Sequence, residues 1–70
     1  MEQKTKELVI NGESRLCAAH SLSDLLKELG LGESAVVAEI NGKIVSRQDF
    51  AVTILAFGDK IELARFVGGG

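Results

Sequence analysis

The fold turns on the reading of Ser21-Leu22-Ser23-Asp24-Leu25-Leu26-Lys27-Glu28-Leu29-Gly30. Leu22, Leu25, Leu26 and Leu29 recur at i, i+3, i+4 and i+7, the spacing of one face of an α-helix. Lys27 and Glu28 fall off that face. Ser21 precedes the run and Asp24 follows three residues later, an arrangement in which a hydroxyl satisfies an orphan backbone N–H. Ser23 is a competing cap, which leaves two starts open. Gly30 sits where a left-handed residue ends a helix. The segment is therefore an amphipathic helix of about two turns, and its leucine stripe needs an apolar surface to lie on.

The flanking segments supply that surface. Asn11-Gly12 and Asn41-Gly42 are type I′ turn signals, because both residue types tolerate positive φ and that turn matches the twist of paired strands. Leu8-Val9-Ile10 precedes the first turn and Arg15-Leu16-Cys17-Ala18 follows it, which predicts strands near 7–11 and 14–18. Val36-Val37-Ala38-Glu39-Ile40 and Lys43-Ile44-Val45 predict a second pair around the second turn. Gly30 to Ser34 is a loop, and Ser46 to Phe50 a short turn. Ala51 to Ala56 is apolar but too weakly periodic to assign. Phe57-Gly58-Asp59 is a turn signal, and Lys60 to Val67 is a final strand. Its alternation sets Ile61 and Leu63 on one face and Glu62, Ala64 and Phe66 on the other. The order strand, strand, helix, strand, strand, strand buries the leucine stripe most economically across one face of a mixed sheet. With the last strand central beside the first, the fold class is α+β, a β-grasp or ubiquitin-like layout of four to five strands and one main helix. Residues 1–67 form one domain, with Met1 to Lys6 expected to fray.

The chain ends Phe66-Val67-Gly68-Gly69-Gly70. Three glycines after a strand predict a mobile tail of maximal backbone freedom. Without Cβ atoms it can thread a channel that closes to other residues. Gly68 and Gly69 would give reach and slimness, and the only reactive group is the α-carboxylate of Gly70. A carboxylate is a poor electrophile. Adenylation by ATP would provide AMP as a leaving group, and a sulfur, nitrogen or oxygen nucleophile could then take the acyl carbon. A terminal glycine run can equally be an incidental frayed end.

Composition agrees that any catalytic apparatus belongs to a partner. At 70 residues a chain buries only roughly 60% of its unfolded surface and has no room for both a core and an enzyme-sized pocket. One cysteine and one histidine supply neither a four-ligand zinc site nor an internal disulfide. A net charge of −2 argues against a surface that tracks nucleic-acid phosphates. The apolar stretches fall far short of a membrane span of ~20 residues. The opening Met1-Glu2-Gln3-Lys4-Thr5-Lys6 has no apolar run of the kind a signal peptide needs. A soluble, cytoplasmic domain is expected, one that works through its surface or its ends.

Other side chains carry weaker signals. Phe66 lies opposite the Ile61/Leu63 face, so Phe66, Val67 and Ala64 are candidate partner anchors, aromatics being favoured at interface hot spots. The competing reading turns Phe66 inward at a bulge. Arg47 and Arg65 are read first as solvated charges. Cys17, beside Leu16 and Ala18, is read as a buried, inert thiol, and His20 as a solvated loop residue. Phe50 and Phe57 are expected to fill the core, and Asp59 to shape its turn with Gly58. Asp49, Glu39 and Glu62 show no paired-carboxylate spacing.

Taken in order, these pieces resemble the ThiS family of sulfur carriers in thiamine biosynthesis. The resemblance runs from about Leu8 to Gly70. It includes Asn11-Gly12, Ser21-Leu22-Ser23-Asp24-Leu25-Leu26, and Val37-Ala38-Glu39-Ile40-Asn41-Gly42-Lys43-Ile44-Val45 with Arg47 and Phe50. It closes with Gly58-Asp59-Lys60-Ile61-Glu62-Leu63 and the terminal glycines. Gly69 and Gly70 match the family's terminal pair, while members vary at the position of Gly68. The resemblance implies a protein co-substrate rather than an enzyme, with no bound cofactor. A ThiF-type enzyme, using ATP and magnesium, would adenylate Gly70. Sulfur drawn from cysteine, commonly through a cysteine desulfurase persulfide, would make the thiocarboxylate. Thiazole synthase, ThiG, would accept the sulfur. Open alternatives are a MoaD-like small subunit of molybdopterin synthase, a non-covalent β-grasp interaction module, and a ubiquitin-like modifier of lysines.

Overall fold

The computed structural model describes residues 5–65. Five strands and a helix follow in the expected order: β1 (Lys6–Ile10), β2 (Glu13–Cys17), α1 (Leu22–Glu28), β3 (Val36–Ile40), β4 (Lys43–Val45) and β5 (Lys60–Arg65). Short 3-10 turns at Glu33–Ala35 and Arg47–Val52 occupy two connections. The strands form one mixed sheet in the order β2-β1-β5-β3-β4. β5 runs parallel to β1 and antiparallel to β3, so the last strand joins two hairpins that do not touch each other within the sheet. This is the β-grasp arrangement.

The first hairpin begins and ends one residue earlier than alternation suggests. Asn11 is itself a turn residue, with φ 50 beside Gly12 at φ 84, so β1 must stop at Ile10. Asn41 and Gly42 repeat the geometry at φ 52 and 86, as a type I′ turn requires. Lys6 does not fray as the sequence suggests. It pairs with Cys17, and its Nζ donates to the Leu55 carbonyl at 2.8 Å.

Between the two serines that could start the helix, the structure selects Ser21. Its Oγ accepts from the Asp24 N–H at 3.1 Å, and its own N–H donates to Asp24 Oδ2 at 3.3 Å, a reciprocal capping box. At the far end, Gly30 (φ 74) donates to the Lys27 carbonyl and Leu31 to the Leu26 carbonyl. These two bonds satisfy carbonyls that the last turn would leave free. Leu22, Leu25 and Leu26 are fully buried against Leu8, Ile10, Cys17, Val36, Ala38 and Ile61 of the sheet, with Leu29 partly buried beside them. Each buried leucine contributes on the order of 2 kcal/mol of transfer free energy.

The stretch left unassigned by periodicity closes the core around the helix start. Ile54 bridges Ser21, Leu22 donates to the Thr53 carbonyl, and Leu55 to the His20 carbonyl. Phe50 and Leu55 fill the core as buried residues, but Val52 and Ile54 stay exposed. Phe57 corrects the sequence reading: it is 75% exposed. It occupies the corner of a tight turn in which the Asp59 N–H donates to the Ala56 carbonyl, while Gly58 is tied to the Glu7 carbonyl. The ring is therefore held outside.

The capping box makes stability depend on pH. The Ser21 backbone N–H, then its hydroxyl, hold the Asp24 carboxyl below its ordinary value of 3.8. A depressed folded pKa adds stability above the unfolded value, and that stability is lost as pH falls through the folded one. Chemical denaturation should therefore show wild type more stable than Asp24→Asn at pH 7, with the gap closing below about pH 4. Ser21→Ala should cost about 1 kcal/mol.

Candidate functional site

The helix covers one face of the sheet and leaves the other open. Alternation along β5 buries Ile61 beneath the helix and exposes Glu62 and Ala64 on the open side. Register then decides what stands beside them. Val37 of β3 lies opposite Ala64, Glu39 opposite Glu62, and Ile44 of β4 opposite Glu39. Val37 and Ile44 are both exposed, Ile44 at 73%. Together with Asn11, these residues line a shallow depression along β5. Apolar Val37, Ile44 and Ala64, one each on β3, β4 and β5, thus stand beside two carboxylates, Glu39 on β3 and Glu62 on β5.

Backbone pairing at the start and in the middle of β5 is completed by side chains. At its start, Asn41 donates its N–H to the Lys60 carbonyl at 2.8 Å and accepts the Lys60 N–H on Oδ1 at 3.0 Å. Its Nδ2 donates to Asp59 Oδ1 at 3.0 Å, and Asp59 Oδ2 accepts from the Ala56 N–H at 2.8 Å. Asp59 therefore shapes its turn, as expected. On the other side of β5, Asn11 donates to the Ile61 carbonyl and accepts the Leu63 N–H on Oδ1, both at 2.9 Å.

Of the sequence-derived anchors, Ala64 is exposed on the open face. Phe66, Val67, Gly68, Gly69 and Gly70 lie outside the described residues. Arg65 ends β5 opposite Val36, and Arg47 is exposed at the head of a 3-10 turn. Asp49 is exposed within the 3-10 turn Arg47–Val52. His20 is exposed before α1. Sequence spacing shows no partner for Glu39, because its opposition to Glu62 exists only through the β3–β5 register. Ile44 and the two asparagine side chains were also missed. Alternation in Lys43-Ile44-Val45 carries the signal for Ile44 once one face is known to be covered. Among the described residues, no group of three His, Cys, Asp or Glu side chains gathers to hold a metal. No helix there is long and apolar enough to cross a membrane.

Cys17 is buried at the end of β2. Burial raises its thiol above the ordinary 9.0, the charge of Glu28 adds to the rise, and Arg15 opposes it. The thiolate is the nucleophile, so this environment suits packing rather than chemistry.

Three comparisons agree with the geometry. The ThiS family profile matches residues 4–70. The sulfur carrier protein ThiS of Escherichia coli is 31% identical over 65 residues, 91% of this chain and 98% of that one. The crystal structure of a thiamine biosynthesis protein (ThiS) from Geobacter metallireducens superposes with a TM-score of 0.77 at 29% identity, covering 91% of this chain and 99% of that one. A thiazole synthase of Paramagnetospirillum magneticum is 42% identical over 65 residues, 91% of this chain. The chain spans only 20% of that relative's length.

Native protein at neutral pH should resist alkylation of Cys17 by iodoacetamide and react fully once denatured. Intact-mass kinetics check this; equal rates in the two states would contradict a buried thiol.

Proposed function

The chain belongs to the ThiS family, the sulfur carriers of thiamine biosynthesis, and we propose that its working group is the α-carboxylate of Gly70. A ThiF-type enzyme, holding ATP and magnesium, joins that carboxylate to the α-phosphate of ATP and releases pyrophosphate. The acyl-adenylate has AMP as its leaving group. A persulfide from a cysteine desulfurase displaces AMP, and a thiol then cleaves the acyl disulfide to leave the thiocarboxylate. Thiazole synthase receives the sulfur. The chain contributes no catalytic side chain to these steps. It supplies a docking face, a slim tail of Gly68, Gly69 and Gly70, and the reacting carboxylate.

The observation that carries this reading is the family match running through Gly70 on a fold whose central strand leads into the glycines. The names of the relatives support thiazole formation over the molybdopterin alternative. For docking, the open sheet face offers Ala64 with Val37 and Ile44, and Phe66 and Val67 come two and three residues after Ala64 in the sequence. Apolar anchors on such a face suit an enzyme that must hold the domain while the tail enters its active site. Cytoplasmic work suits a chain with a single, unpaired thiol.

Incubation with a ThiF-type enzyme, ATP, a cysteine desulfurase and cysteine should add to the intact mass one oxygen-to-sulfur exchange, localised to Gly70. Deleting Gly70 should abolish it. Absence of both adenylate and thiocarboxylate with the cognate enzyme would sink the proposal. Ile44→Asp should weaken binding to the adenylating enzyme about tenfold by calorimetry, as loss of a central apolar anchor does, while leaving the melting temperature nearly unchanged.

A further inference from the structure

We infer that Asn11 is a positioning residue for the reaction at Gly70: its side-chain oxygen sets where β5 leaves β1. In a continuing parallel ladder, the Leu63 N–H would donate to the backbone carbonyl of residue 11, one step beyond the bond from Asn11 N–H to the Ile61 carbonyl. That backbone carbonyl has been turned away, because Asn11 has entered the type I′ turn at φ 50. Its Oδ1 takes the vacated place, 2.9 Å from the Leu63 nitrogen. β1 pairing ends at Ile10 opposite Ile61, yet β5 stays anchored on that side for two more residues. Beyond Leu63, among the described residues, β3 holds the strand through Ala64 opposite Val37 and Arg65 opposite Val36.

The placement matters because of reach. Gly70 is the fifth residue after Arg65, a span on the order of 17 Å when fully extended. The point at which β5 leaves the sheet is therefore the origin from which the carboxylate must reach a partner's active site, and a shift of that origin is taken from a short reach. Adenylation needs that carboxylate in line with a phosphorus atom, and misplacement by about 1 Å can cost ~100-fold in rate. Asn11 borders the open face beside Glu62 and Ala64, so it sits where docking and tail departure meet. Asn41 makes the corresponding bond at Lys60, the first residue of β5 and three residues farther from the tail than Leu63, and serves as the matched control.

The inference rests on the carrier reading above, and the test separates the two. Asn11→Gly keeps the positive-φ turn but removes the acceptor, whereas Asn11→Asp restores an acceptor oxygen. With a ThiF-type enzyme and ATP, pyrophosphate release should show Asn11→Gly lowering kcat about tenfold with KM for the carrier changed less than about twofold. Asn11→Asp should recover most of the rate. Hydrogen exchange at the Leu63 amide should accelerate in Asn11→Gly alone. Asn41→Gly should lower the melting temperature and leave kcat near wild type. If wild type turns over and Asn11→Gly matches its kcat, or if Asn41→Gly loses as much, the inference falls and the carrier reading stands. If wild type releases no pyrophosphate, the carrier reading falls and takes the inference with it.

Discussion

Everything in this fold hangs on one strand being held from both sides. The β1–β2 and β3–β4 hairpins are separate local units, and only β5 hydrogen-bonds to both. Two short hairpins alone are marginal in water. Their union gives the helix a continuous sheet to cover. Each hairpin turn also contributes an asparagine whose backbone has bent away from the ladder and whose side-chain oxygen completes it. The same Asn-Gly pair thus does two things: it reverses the chain, and it pins the strand that arrives last in the sequence. The central position of β5 also sets the point in the sheet from which the chain continues toward its glycines.

The helix fixes which side of the sheet is spent on stability. A seven-residue helix is too short to persist alone, so its caps and its leucines act together. The capping box at Ser21 and Asp24 and the reversed bonds at Gly30 satisfy its ends, while Leu22, Leu25 and Leu26 bury against the sheet. The opposite face is released from packing duty. There Val37, Ile44 and Ala64 can stay exposed, and Glu39 and Glu62 can stand directly opposite each other, an arrangement that a buried face would not tolerate. A domain of this size has little surplus stability, and here one face carries the folding while the other remains free for partners.

Much of this was legible from local pattern. The 3.6-residue stripe marked α1, the two Asn-Gly pairs marked the hairpins, and the alternation in Lys60 to Val67 assigned Ile61 and Leu63 to one side. Phe57 is the core expectation that fails, in a connection where apolar character is a poor guide. Val52, Ile54 and Phe57 are apolar but exposed, so hydrophobicity did not track burial between β4 and β5. Phe57 was misplaced because tight-turn geometry at Ala56 to Asp59, rather than its apolar character, sets the direction of its ring. The one-residue offset in the first hairpin arose because Asn11 belongs to the turn and not to the strand.

The sequence by itself determined the elements, their order, the capped helix and the run of three glycines after the last strand, because each of these depends on residues a few positions apart. Only the tertiary structure decided that Glu39 faces Glu62, that Ile44 joins Val37 and Ala64 on the open face, and that Asn11 reaches Leu63 across 52 positions. Those relations come from strand register, and register is set when distant segments pair around β5, a constraint that no local window of sequence contains.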